Sequence, residues 1–155
     1  MTYVDSSALV PLYVPERFSK AARSLIRSIK QVPFTALHRL EVANAFEQLV
    51  GRGLITRDEC QAIAQQVQDD IDSQRLTPRA LDLDRVFVEA GDLSRLYSAK
   101  FLARSLDLLH VAAAHFVGCA RFGSADDRQL AVAKASGLLV VDIKRPTRRR
   151  SASHR

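Results

Sequence analysis

Four carboxylates stand at the borders of apolar segments in this chain: Asp5, Glu41, Asp107 and Asp126. The clearest case is SLDLLHVAAAHFVGCARFGSADDRQ, residues 105–129, where Asp107 precedes an apolar run and Asp126 follows it. A carboxylate buried without a partner is costly, or takes up a proton and neutralises. Each acid has an ordinary explanation by itself. Asp5 suits the N-cap of a following helix, and Glu41 and Asp107 suit early helical turns. Asp126, beside Asp127, suits a turn. Gathered at one edge of a sheet, the four would repel one another, and a cation would remove that cost.

The donors in that set are oxygens, which suit a hard cation such as Mg²⁺ or Mn²⁺ completed by water and substrate phosphate. No histidine or cysteine cluster supports zinc. His110 and His115 are five apart, so they do not share a helix face as a metal pair would. His110, three residues after Asp107, reads as a core histidine bordering the acids. Other familiar chemistries lack their signatures. The chain has no GxGxxG, GxxxxGK[ST] or GxSxG. Asp5 is followed by Ser-Ser rather than by a second acid two places on, which argues against an aspartyl-phosphate enzyme.

The elements that must position these residues follow from periodicity and punctuation. Thr2–Asp5 is β-prone, and a short helix follows that Pro11 and Pro15 should interrupt. Residues 18–29 carry a helical apolar face, and VPFTAL reads as a second strand. HRLEVANAFEQLVGRG reads as a helix ending near Gly51 and Gly53. Thr56 with Glu59 forms a capping box that starts another. RALDLD is expected as a third strand, with a helix over RVFVEAGDLSRLYSAKF. LDLLHVAAAHFVG is a helix apolar nearly all round, hence central. ARFGSAD supplies a fourth strand, DRQLAVAKAS a helix closed by Gly137, and GLLVVDI the last strand. Alternating helices and apolar strands predict an α/β fold with a parallel sheet covered on both faces. Sites in such sheets gather beyond the carboxyl ends of strands, where Asp5 and Asp126 fall.

Composition narrows the class further. The 155 residues are 47% hydrophobic and 26% charged, the profile of one globular domain. Cys60 and Cys119 form no CxxC and fit a reducing compartment. No apolar run is long enough to span a membrane, and no signal peptide is evident, so a cytoplasmic location is expected. Residues 1–143 are charge-balanced, with 17 basic and 17 acidic side chains, and read as the folded domain. Residues 144–155, KRPTRRRSASHR, hold six cations and no acid, so the basic tail carries the whole net charge of +6. Such a tail favours polyanions without sequence specificity.

YVDSSALVPLYVPE, LEVANAF, LDLLHVAAA and SADDRQLAVAKASGLLVV occur in that order. Together they resemble the PIN domain, most closely the VapC-type toxins of bacterial toxin–antitoxin pairs, over residues 2 to about 142. The resemblance implies a three-layer α/β/α fold around a central parallel sheet of four to five short strands. It matches Asp5, Glu41, Asp107 and Asp126 to the four family acids, and Ser7 to a small hydroxyl residue. Arg128 takes a basic position, while Asp127 shares the fourth acid's neighbourhood. Pro11 is atypical of the family, and the Arg-rich tail lies outside its pattern.

The implied activity is a metal-dependent endoribonuclease using Mg²⁺ or Mn²⁺. Asp5 and Asp107 would be the main ligands. Glu41 would complete the sphere or accept a proton from water, and Asp126 would hold a second ion or the outer shell. Ser7 would donate a hydrogen bond to a carboxylate or phosphate. The implied partners are RNA, a small antitoxin and a second copy of the chain in a homodimer, with no membrane. The apolar faces at Phe46–Leu54 and Ile63–Val67 would either bind the antitoxin or be ordinary core. Two other readings stay open: a catalytically silent PIN-like module that binds RNA or a partner, and a housekeeping RNA-processing nuclease.

Overall fold

The structure, a computed structural model, describes residues 1–145. Its elements run β1 (Thr2–Val4), α1 (Ser6–Tyr13), α2 (Ser19–Arg27), β2 (Val32–Phe34), α3 (Ala36–Gly51) and α4 (Arg57–Asp72). They continue with β3 (Leu76–Pro78), α5 (Leu83–Phe101), α6 (Ser105–Phe116), β4 (Arg121–Ser124), α7 (Asp127–Ala135) and β5 (Leu139–Asp142). Every strand pairing is parallel. The ladders form a three-stranded group, β1-β4-β5, and a two-stranded group, β2-β3, with β1 lying against β2.

Strand alternation divides the interior into two cores. Tyr3 pairs in register with Phe122, and Phe122 with Val140; these three pack on α5, α6 and α7. Val4, Gly123 and Val141 form the next rung, and Val4 and Val141 face the other core, among α1, α2, α3 and α4. Successive strand side chains point to opposite faces, so a single-residue step switches layers. The result is the expected α/β/α sandwich.

Between β1 and β2 a histidine stands in for a ladder. His38, fully buried on α3, accepts the Thr35 backbone N–H at Nδ1 (2.9 Å) and donates from Nε2 to the Val4 carbonyl (2.7 Å). Burial and the neighbouring His110 push its pKa down to about 3, so it is neutral.

Two local expectations change. The third strand is Leu76–Pro78 rather than RALDLD, because Asp82 accepts the Arg85 N–H (3.2 Å) as N-cap and starts α5 at Leu83. Pro11 lies inside α1 without ending it. Proline removes a single N–H, here the one that would reach the Ser7 carbonyl, and the helix is only eight residues long. Phe46, Val50, Ile63 and Val67 belong to the second core, leaving Leu54 exposed. Among the described residues no helix is long and apolar enough to cross a membrane. Of the tail, Lys144 and Arg145 are described; the remainder lies outside the described residues.

Candidate active site

The helices that follow β1 and β4 begin immediately beyond their strands, so their first turns crowd the carboxyl edge of the sheet. Asp5 is the N-cap of α1 and Asp126 that of α7. Asp107 sits at the third position of α6, where its Oδ2 accepts the backbone N–H of Arg104 (2.8 Å). Capping therefore accounts locally for three of the four acids: for Asp5 as expected, for Asp126 where a turn was expected, and for Asp107 within the early helical turn expected of it. That account is incomplete, because capping brings those three to one place. Three helix N-termini, each with a partial positive charge, converge there.

Asp5 is pinned from several sides. Its backbone N–H donates to the Gly123 carbonyl (3.0 Å), tying it to β4. Its carboxylate accepts from Ser7 Oγ (2.7 Å), from Ser124 Oγ (2.9 Å) and from the Ala8 N–H (3.3 Å). Ser7 Oγ also accepts the Ala125 N–H (2.9 Å), and Ser124 Oγ accepts the Asp126 N–H (2.8 Å). The two serines thus stitch Asp5 to the loop that carries Asp126. Burial raises the Asp5 pKa to about 6, against the opposing pull of His110 and of both serine hydrogen bonds.

Glu41 enters from the second turn of α3. Its carboxylate accepts from Ser6 Oγ (2.8 Å) and from His110 Nε2. His110 is buried on α6, and the Tyr3 hydroxyl donates to its Nδ1 (2.8 Å). Burial holds the Tyr3 phenol well above its usual pKa, which keeps that proton in place. Burial also pushes the Glu41 carboxyl up, but the His110 contact, Ser6 and the charge of Arg104 together hold it below the ordinary value. His110 is therefore more than core: it orients one of the acids.

Asp107 and Asp126 share one cation. Arg104 Nε and Nη2 donate to the two oxygens of Asp107 at 3.3 and 3.4 Å, and Nη2 also reaches Asp126 Oδ2 at 3.1 Å. Asp127 faces away and pairs with Lys144 (2.6 Å). The Arg128 side chain turns to the Leu102 carbonyl (3.5 Å), while its backbone N–H donates to Asp126 (2.8 Å). Asp126 is thus the acid of this pair that joins the cleft. Asp5, Glu41, Asp107, Asp126 and Ser7 are brought together; Asp127 and the Arg128 guanidinium are not.

Ser6, Ser124, His110 and Arg104 carry as much of the geometry as the acids do. Some signal for them existed: Ser124 lies in the Ser-x-Asp motif, and Arg104 and His110 each flank Asp107 by three residues. A groove of roughly 670 Å³ opens beside the acids, lined among others by Ser6, Ser7, Leu40, Glu41, Asn44 and Leu106.

The donor set suits a hard cation in its chemistry, and the guanidinium shows where positive charge is accommodated. One turn along α7 from Asp126, the Gln129 side-chain oxygen is buried with no hydrogen-bond partner. Among the described residues no three histidine, cysteine or carboxylate side chains are drawn close enough to cage a metal ion. The physical reason lies in the partners these acids already have: His110 and Ser6 hold Glu41, while Arg104 occupies Asp107 and Asp126.

A half-buried acidic cleft at the carboxyl edge of a parallel α/β/α sheet defines the class, and the comparisons agree. The model of the PIN domain matches residues 2–135, and the chain belongs to that family. It is similar to Ribonuclease VapC46 of Mycobacterium tuberculosis, 33% identical over 141 residues, spanning 90% of this chain and 95% of that protein. Among solved structures it resembles FitAcB from Neisseria gonorrhoeae, with a TM-score of 0.67 at 13% identity over 93% of this chain and 99% of that one. It also resembles VapC20 of Mycobacterium tuberculosis, described as a Sarcin-Ricin loop cleaving toxin. There the TM-score is 0.66 at 16% identity, over 92% of this chain and 99% of that one. Those two likenesses concern the fold.

Proposed function

We propose that this protein is a divalent-metal-dependent endoribonuclease, the toxin of a toxin–antitoxin pair. The observation that carries the reading is the convergence of Asp5, Glu41, Asp107 and Asp126 on one edge of the sheet, beneath three helix N-termini. The similarity to a VapC ribonuclease over nine-tenths of the chain supports it. A silent binding module would have no use for four carboxylates whose packing requires serines, a buried histidine and an arginine to offset them.

In this reading Asp5 and Asp107 hold the ion, Mg²⁺ or Mn²⁺, and Asp126 supports a second ion or the outer shell. When bound, the ion supplies positive charge at the scissile phosphate and lowers the pKa of a coordinated water. The chain's own residues do the rest. Glu41, held by Ser6 and by His110, is placed to accept a proton or to complete the ligand sphere. Ser7 and Ser124 fix the Asp5 carboxylate. The N-termini of α1, α6 and α7 favour a phosphate at the cleft mouth. The family extends the proposal to a small antitoxin, a homodimer and a cytoplasmic site of action.

The test is to incubate the purified protein with total bacterial RNA in Mg²⁺, Mn²⁺ or EDTA and to map new RNA ends, with Asp107→Asn alongside. Discrete ends that require metal are expected, with Asp107→Asn slower by at least about 100-fold. Ends that appear equally in EDTA or in the variant would overturn the reading.

A further inference from the structure

Asp107 and Asp126 belong to different helices and lie 19 positions apart, yet one side chain answers both. Arg104 presents its planar fork to Asp107 through Nε and Nη2, and the same Nη2 bridges to Asp126. We propose that Arg104 and a divalent cation compete for these two carboxylates. The arginine is a built-in counter-ion that closes the acidic cleft when metal is absent and is expelled when metal binds. This rests on the metal-dependent reading above and adds to it a residue that sets the metal affinity.

Three features support competition over a purely structural role. First, the helix does not need this side chain. The α6 cap is made by the Arg104 backbone N–H, which donates to Asp107 Oδ2 at 2.8 Å, and any residue but proline supplies that group. Arginine is moreover absent from the preferred N-cap residues. Second, the side chain is 65% exposed, so it can swing into water without opening a void in the core. Third, no other cation takes the same place among the described residues. Lys144 is committed to Asp127, Arg128 turns to a backbone carbonyl, and His110 is engaged with Glu41 and Tyr3.

The chemistry makes the two occupants exclusive. A guanidinium satisfies carboxylate lone pairs bidentately, and those are the lone pairs an ion would use. A divalent ion brings twice the charge in a compact form, so it displaces the arginine once its concentration exceeds a threshold. That threshold is raised by whatever the two ion pairs contribute. Pairs whose cation is largely exposed contribute little individually, so the expected effect is a few-fold change rather than a loss of binding.

The experiment measures Mn²⁺ binding by calorimetry in the intact protein without RNA, for the wild type, Arg104→Gln and Arg104→Lys. Arg104→Gln should bind Mn²⁺ about three- to tenfold more tightly than the wild type. Arg104→Lys should fall between, since lysine is a shorter point charge that lacks the fork. The metal-free Arg104→Gln protein should melt below the metal-free wild type, and the gap should close at saturating Mn²⁺. Equal or weaker Mn²⁺ binding by a folded Arg104→Gln protein would overturn the proposal. If that variant does not fold, equal affinity of Arg104→Lys and the wild type would do so. Absence of Mn²⁺ binding in all three proteins would overturn the metal-dependent reading itself, and the competition with it.

Discussion

Asp5 concentrates the conflict between folding and function in one side chain. It is buried, capped and tied to β4, and its pKa stands near 6 rather than at the ordinary 3.8. The folded metal-free protein keeps this proton in a range where the unfolded chain has released it. Asp5 therefore contributes stability that is complete below about pH 4 and lost as the pH rises through about 6. The loss is on the order of 3 kcal/mol. Thermal melts in EDTA between pH 4 and 7 should show the wild type falling relative to Asp5→Asn across that window. Mn²⁺ added at pH 7 should restore the wild type but not the variant. The acids themselves were legible in the sequence, because charge at the border of an apolar run is conspicuous. Their partners were not. Ser6 meets Glu41 across 35 positions, His110 meets Glu41 across 69, and Ser124 meets Asp5 across 119. Pairings made through space leave no spacing to read.

At the scale of elements, periodicity located the helices well because each carries an apolar face and most have recognisable caps. The short strands were harder. Three residues contain barely one and a half alternations, so LTP is outweighed by the more apolar RALDLD. The pairing of β1 with β4 also depends on a residue that looks unremarkable in sequence. A Cβ built on Gly123 would lie 2.7 Å from Leu25 Cδ2 and 3.1 Å from Val4 Cγ1, both buried. Gly123 is therefore a point where α2 approaches the sheet closely. Gly123→Ala should lower stability by about 1–3 kcal/mol, measured by denaturant melts. Because the Gly123 carbonyl accepts the Asp5 N–H, metal affinity should weaken in the same variant.

For the whole molecule, the sequence pattern led to the layered architecture and to the edge where the acids meet. It could not show that an arginine closes that edge. The charge distribution has a consequence of its own. The domain is neutral and residues 144–155 hold the entire excess of six. The chain leaves β5 next to the cleft: the Ile143 N–H donates to the Ser124 carbonyl (3.1 Å), and Lys144 pairs with Asp127 beside Asp126. A protein ending at Ile143 should bind single-stranded RNA with a shallower salt dependence. The slope should fall by roughly 0.7 for each phosphate that the tail no longer neutralises. Filter binding across a salt series measures it, and an unchanged slope would mean that the tail touches no phosphate.

The order of the elements along the chain bears on how the protein is made. Asp5 is synthesised well before its partners: the strand that pairs with β1, the serine that holds its carboxylate and the acid beside it all arrive at residues 121–126. A chain still emerging from the ribosome has Asp5 and Glu41 long before it has Asp107 and Asp126. Domains condense as units once their sequence is available. The cleft is thus assembled only after β4 and the start of α7 have been made, and the segment that carries Asp5 and Glu41 cannot form it alone.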